Sequence, residues 1–132
     1  RSELSFVMLD LDHFKAINDS YGHPAGDRVL LGLSRLLQQR LRSTDIVGRY
    51  GGEEFAIALH STSKMQAQHL LNSLREDFNR LVFYSGEHEF RCSFSAGIAT
   101  YPQYQRLETL RQAADDALYR AKHQGRNCVV VV

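Results

Sequence analysis

Two strand-like runs, Asp45–Gly48 and Ala56–Leu59, meet across Arg49-Tyr50-Gly51-Gly52-Glu53-Glu54-Phe55. Paired glycines between such runs allow the positive φ angles of a tight turn, so residues 45–60 are expected to fold as a β-hairpin. Two carboxylates, Glu53 and Glu54, follow the glycines directly. Adjacent acids at a loop tip repel each other unless a cation or a proton relieves them, and the glycines leave backbone open to a large ligand. An ordinary acidic surface hairpin uses the same residues. The motif by itself favours that plainer reading.

The flanking pattern sets the fold class. Leu4–Leu11 is an apolar run of strand length, and Asp12–Tyr21 is a short helix with Phe14 and Ile17 on one side and Gly22 as its stop. Val29, Leu30, Leu33, Leu36, Leu37 and Leu41 repeat at helical spacing within Pro24–Arg42. A further helix starts at Ser63, where Ser63 and Gln66 make a capping box and Leu70, Leu71, Leu74 and Phe78 point inward. Strand patterning returns over Val82–Thr100, with a turn at Ser85-Gly86-Glu87, and Pro102 ends it. Leu107–Gln124 is the last helix, with Gly125 suited to its C-terminal cap, and Asn127–Val132 is a final strand. Hairpin-paired strands separated by helices predict an α+β domain, with a mainly antiparallel sheet of about five strands, flanking helices and one extra hairpin.

Bulk properties exclude several classes. The 132 residues are enough for one domain with one core. Sixteen Lys+Arg against 15 Asp+Glu leaves a net charge of +1, without the basic excess of a nucleic-acid-coating protein. Cys92 and Cys128 lack any CxxC spacing and read as buried or incidental thiols of a reducing compartment. No apolar run approaches the ~20 residues that span a bilayer. Arg1-Ser2-Glu3 leads straight into a strand, without a signal peptide. The expectation is a single domain, 1–132, excised from a larger multidomain protein.

Asp10 and Asp12 flank Leu11 at the end of the first strand, and alternation puts both carboxylates on one face if the strand persists. Acids at the mouth of a sheet suit Mg²⁺, which takes one or two carboxylates plus waters and phosphates. Asp12 is more simply the N-cap of the following helix; Asp10 has no such explanation. That helix would offer free N–H groups to a phosphate chain beside Asp10. Lys15 lies in its first turn, where the dipole disfavours a cation. Asn18, Asp19 and Asp27 could read a base edge, although turn chemistry uses the same residue types.

With three segments taken together, the chain resembles the GGDEF domains, the diguanylate cyclases. Asp10-Leu-Asp-His-Phe-Lys-Ala-Ile-Asn-Asp-Ser-Tyr-Gly-His-Pro-Ala-Gly-Asp27 is similar to their opening signature. Arg49–Phe55 matches the defining hairpin motif in its GGEEF form, and Ala114–Asn127 matches the closing motif. The resemblance covers nearly the whole chain. It departs at the start, because the family's N-terminal helix and DxLTGLxNR-like segment are absent, which would impair activity or dimerisation.

The resemblance implies condensation of two GTP into cyclic di-GMP with release of two pyrophosphates, across a homodimer. It implies Mg²⁺ or Mn²⁺ held by Asp10, the Leu11 carbonyl and Glu53. Glu53 is also the implied base for the attacking 3′-hydroxyl, Glu54 a second acidic contributor, and Lys15 a stabiliser of transition-state charge. Asn18 and Asp27 would read guanine, with His23, Phe14, Gly51 and Gly52 around the nucleotide, and Lys122 and Arg126 would grip the β- and γ-phosphates. Arg42 and Asp45 match an RxxD site for inhibition by the product, with Arg75 a candidate second arginine. The setting implied is cytoplasmic, in a parent either free or attached to the inner membrane, with no nucleic-acid partner. Two other readings stand beside it: a silent module that senses GTP or cyclic di-GMP, and a cyclase of relaxed base choice, against which Asp27 argues.

Overall fold

A computed structural model describes residues 3–132. Arg1 and Ser2, read as the lead-in to the first strand, lie outside the described residues. The elements run β1 (Leu4–Leu11), α1 (Phe14–Tyr21), α2 (His23–Arg40), β2 (Ile46–Arg49), β3 (Glu54–His60) and α3 (Lys64–Arg80). They continue with β4 (Phe83–Ser85), β5 (His88–Phe90), β6 (Phe94–Tyr101), α4 (Leu107–His123) and β7 (Val129–Val131). Five strands form one sheet in the order β2-β3-β1-β6-β7, and β4-β5 is a separate hairpin. Only the β6–β7 pairing is parallel; the others are antiparallel. The α+β expectation with one extra hairpin therefore holds. Among the described residues, no helix is long and apolar enough to cross a membrane.

The period-2 alternation of β1 decides which helices pack on which face. Val7, Leu9 and Leu11 join Phe55, Ile57 and Leu59 of β3 and Phe94, Ala96 and Ile98 of β6. Against that face lie Val29, Leu33 and Leu37 of α2 and Leu71, Leu74 and Phe78 of α3. The other face carries Met8 and Ala99, covered by Leu110, Ala114 and Leu118 of α4. Each fully buried Leu or Phe side chain contributes about 1.5–3 kcal/mol of transfer free energy, so the double-sided sheet is the main source of stability.

Gly97 sets the depth at which α4 sits. A Cβ there would lie 2.2 Å from the Leu118 amide nitrogen and 2.3 Å from the Ala114 carbonyl oxygen. Helix backbone and sheet thus touch directly, and the small residues Ala114, Ala117 and Ala121 let them do so. At the start of α3 the predicted capping box is present: Gln66 N donates to Ser63 Oγ at 3.1 Å, and Ser63 N donates to Gln66 Oε1 at 2.8 Å. Such a cap stabilises a helix by about 0.5–2 kcal/mol.

Two local expectations fail. The turn at Gly51-Gly52 uses no positive φ; among the described glycines only Gly22, Gly86 and Gly125 adopt it. A looser turn over Tyr50–Glu53, closed by the Tyr50 amide on the Glu54 carbonyl at 2.7 Å, removes the need. Asp12 does not cap α1. The N-cap is His13, at φ 55°, with no side-chain hydrogen bond to the helix.

Candidate active site

Antiparallel register places Asp10 of β1 directly opposite Glu54 of β3. Both belong to the sheet face that α4 covers, being in register with Met8 and Ala56 of that cluster. Like charges facing each other across a strand pair destabilise it. Glu53 is one residue earlier, at the end of the turn, and its carbonyl accepts from the Leu11 amide at 3.2 Å. That bond ties the end of β1 to the acidic hairpin. Arg49 holds the turn from the other side, donating from Nη2 to the Gly52 carbonyl at 2.7 Å and from Nε to the Gly51 carbonyl at 3.3 Å. The sequence showed Arg49 only as part of a motif, and its role as a backbone clamp had no signal in spacing.

The helix α4 brings the answering charge. Lys122 Nζ forms an ion pair with Asp10 Oδ2, although 112 residues separate them. The other oxygen, Oδ1, is buried without any hydrogen-bond partner. Burial pushes the Asp10 carboxyl above its usual range, with the Asp12 charge adding to it, despite the opposing Lys122. Glu53 is raised by burial first and then by the Asp10 and Glu54 charges. Glu54 is raised likewise by burial, and by Asp10 and Asp115. Three carboxylates with raised pKa values and one orphaned oxygen make a centre short of positive charge.

A hard divalent cation fits that shortage. No three acidic, His or Cys side chains among the described residues already form a metal cage. Ions of the Mg²⁺ class do not need one, since they take one or two carboxylates and complete their shell with water and phosphate oxygens. Asp10, at the end of β1 beside Leu11, and Glu53 are the carboxylates that could supply such donors.

The remaining candidates divide by location. Phe14 opens α1 and is buried, and Asn18 lies one turn on, half-buried with Oδ1 unpartnered. A Cβ on Gly26 would lie 2.0 Å from that oxygen, so a larger residue there would push the Asn18 side chain out of its present place. His23 and Asp27 are exposed in the first turn and a half of α2. Gly51 and Gly52 are exposed, and a Cβ on Gly52 would meet nothing within 4 Å. Arg126 is exposed just past α4, at φ 64°. Lys15 is 89% exposed and pairs with Asp19 at 3.0 Å, a local i,i+4 contact instead of one with the acidic centre.

Asp12 proves to be an anchor. Its carboxylate, 4% exposed, accepts from Ser95 Oγ at 2.7 Å, Ser93 Oγ at 2.6 Å and the Asn127 amide at 3.0 Å. These partners come from β6, from the residue just before it and from the loop after α4, and nothing local in the sequence announces them. Cys92 lies against it; burial and then the Asp12 charge push that thiol up to about 12, which makes it chemically inert.

Arg42 and Asp45 lie at the opposite end of the sheet, near where Leu4 pairs with His60. Arg42 reaches Asp45 Oδ1 at 3.0 Å, Thr62 Oγ1 at 2.9 Å and the His60 carbonyl at 2.5 Å. Burial alone pushes the Asp45 carboxyl up, but the Arg42 hydrogen bonds and charge and the His60 amide hold it below its usual range. Arg75 shares none of these partners; it donates to Asn72 Oδ1 and Asn127 Oδ1.

Comparison with known proteins bears on all of these elements. The family model described as "Diguanylate cyclase, GGDEF domain" matches residues 1–128. The diguanylate cyclase DgcP of Pseudomonas aeruginosa is 41% identical over 125 residues, covering 95% of this chain and 19% of that protein. Among solved structures, the active GGEEF domain of a diguanylate cyclase from Vibrio cholerae superposes with a TM-score of 0.91 at 35% identity, covering 98% of this chain and 82% of that one. The GGDEF domain of DgcB from Caulobacter crescentus, in complex with c-di-GMP, gives 0.93 at 28% identity, covering 98% and 78%. The chain spans only 19% to 36% of the length of the first curated relatives that it matches. With its fold, its acidic hairpin and its closing motif all in place, the chain belongs to the GGDEF family of diguanylate cyclase domains.

Proposed function

We propose that this domain condenses two GTP into cyclic di-GMP and two pyrophosphates. The observation that carries the reading is the buried, unpartnered Oδ1 of Asp10 beside Glu53 and Glu54, whose pKa values are all raised. The names of its relatives as diguanylate cyclases support the same activity. In each half-reaction the 3′-oxygen of one GTP attacks the α-phosphorus of the other. A 3′-O–P bond forms, the bond to the β-phosphate bridge breaks and pyrophosphate leaves. Glu53, whose carboxyl burial raises above its usual range, accepts the 3′-hydroxyl proton, and general bases of this kind contribute about 10²–10⁴-fold.

Mg²⁺ or Mn²⁺ would be held by Asp10, the Leu11 carbonyl and Glu53, with Glu54 adding negative charge. When bound, the ion supplies polarisation of the α-phosphate, a more acidic 3′-hydroxyl and charge neutralisation on pyrophosphate. Lys122 and Arg126 bind the β- and γ-phosphates, Lys15 stabilises developing charge, and Asn18 and Asp27 read guanine beside His23. Phe14 lies against the nucleotide, and Gly51 and Gly52 leave room for it. Each domain holds one GTP, so two copies must face each other as a homodimer. Arg42 and Asp45 form the inhibitory site for cyclic di-GMP, a ligand held by the solved DgcB relative; an exposed guanidinium beside a carboxylate suits phosphate and guanine.

The test is chromatography of products after incubation with GTP and Mg²⁺, beside a Glu53→Ala control. Cyclic di-GMP from the natural chain alone is the expected result. No product from a chain carrying the family's N-terminal segment as well, with cyclic di-GMP still bound, would instead identify a sensing module. For the inhibitory site, Arg42→Ala should raise the accumulated product; an unchanged titration against cyclic di-GMP would reject it.

A further inference from the structure

The loop after α4 adopts an expensive backbone. Gly125, Arg126 and Asn127 take positive φ in succession, at 111°, 64° and 48°. Non-glycine residues in this region are strained and persist only where their surroundings over-determine them. Two contacts do so here. The Arg126 amide donates to the Ala121 carbonyl at 3.1 Å, and the Asn127 amide donates to the buried Asp12 carboxylate at 3.0 Å. Ser93, just before β6, and Ser95 within it fix that carboxylate. On the far side, Asn127 Oδ1 accepts from Arg75 Nη1 and Asn79 Nδ2 of α3, both at 3.1 Å.

Resting on the reading of Arg126 as a phosphate-binding residue, we propose that Asp12 is a positioning residue for the triphosphate. Through the Asn127 amide it holds Arg126 in the left-handed conformation from which its guanidinium meets the terminal phosphates. A buried carboxylate satisfied by three donors is a rigid anchor, whereas exposed Arg126 has no side-chain hydrogen bond of its own among the described residues. The anchor connects β1, which carries Asp10, to the loop that carries Arg126, so the metal end and the phosphate end of the site share one reference point. Arg75 and Asn79 extend that reference to α3.

Equilibrium binding of 3′-deoxy-GTP and 3′-deoxy-GMP separates this role from plain stability, since neither ligand has the hydroxyl needed for turnover. Asp12→Asn keeps the shape but loses one acceptor. It is expected to weaken 3′-deoxy-GTP about tenfold or more, the scale of one charge-assisted hydrogen bond to phosphate, while 3′-deoxy-GMP changes by less than about twofold. Asn127→Gly keeps the backbone conformation and removes only the α3 tether, so its loss should be smaller and confined to the triphosphate. Ser5→Ala, which removes buried hydrogen bonds to the Thr62 carbonyl and Thr100 Oγ1 at the other end of the sheet, is the stability control and should leave the ratio unchanged.

Equal weakening of both ligands by Asp12→Asn would overturn the proposal, as would a ratio that follows melting temperature through the Ser5→Ala control. Arg126→Ala separates the two levels. If it lowers the triphosphate preference and Asp12→Asn does not, the positioning role fails and the phosphate role of Arg126 stands. If Arg126→Ala has no effect, both fail.

Discussion

A lone carboxylate, Asp45, and a cluster of three lie at opposite ends of β1, roughly 20 Å apart at strand rise, and they are built on opposite principles. At the Leu4 end, Asp45 receives the Arg42 guanidinium and the His60 amide, and its pKa is depressed. At the Asp10 end, three carboxylates share a single close cation, Lys122, their pKa values are raised, and one buried oxygen has no partner. The first arrangement closes the fold by itself. The second leaves part of its negative charge unmet among the described residues. In a chain with a net charge of +1 the acidic excess is local, which is why composition alone reveals neither end.

The largest way to break this contrast is Glu53→Gln. Removing the base should lower product formation about 10²–10⁴-fold, yet the variant should melt higher than the natural chain at pH 7.5 without metal, because one repelling charge is gone. Initial rates and a melting curve on the same preparation check both halves. A variant that loses stability along with activity would make Glu53 a structural residue.

Gly26→Ala comes next. Its new methyl would overlap Asn18 Oδ1, and the movable end of that side chain would give way with little loss of stability. Because Asn18 must move, GTP binding should fall while pyrophosphate binding persists. Gly52→Ala, with open space around it, should melt like the natural chain, so the pair separates a glycine required by packing from one required by access.

Asp45→Ala should reverse the pattern of Glu53→Gln. Loss of a charge-assisted pair that is nearly buried on the aspartate side should cost about 1–3 kcal/mol in denaturant unfolding, with initial rates retained. Collapse of the rate with no change in stability would contradict the division of labour between the two ends.

The smallest effect is in pH, and the two ends should titrate in opposite senses. Groups with raised pKa, Asp10, Glu53 and Glu54, cost nothing while protonated, and stability declines as pH rises from the ordinary carboxylate range through their folded values. Asp45, with its depressed pKa, stabilises above its unfolded value and loses that contribution as pH falls through the folded one. Melting curves from pH 3 to 8 should show the alkaline decline shrink in Glu53→Gln and the acid decline shrink in Asp45→Ala.

Much of this was legible in the sequence because it is local. The periodicity of α2 and α4, the capping box at Ser63 and the hairpin at residues 45–60 all depend on neighbours a few positions away. The site residues Asp10, Glu53 and Glu54 are brought together by the β1–β3 register, a pairing across α1 and α2 that only the family resemblance implied. The sequence failed where a residue's partner is remote. Asp12 looked like a cap because its true partners lie 81 to 115 positions further on. Gly97 and Gly26 gave no sign that a helix backbone and an asparagine press against them. Gly51-Gly52 invited a positive-φ turn, but the extra length of the loop made ordinary φ sufficient.

The most direct test of the unmet charge at the Asp10 end is the melting shift caused by Mg²⁺ with 3′-deoxy-GTP, in the natural chain and in Glu53→Gln. A clear rise in the natural chain and a much smaller one in the variant is the predicted result. Equal shifts in both would contradict the assignment of this acidic edge as the cation-dependent half of the site.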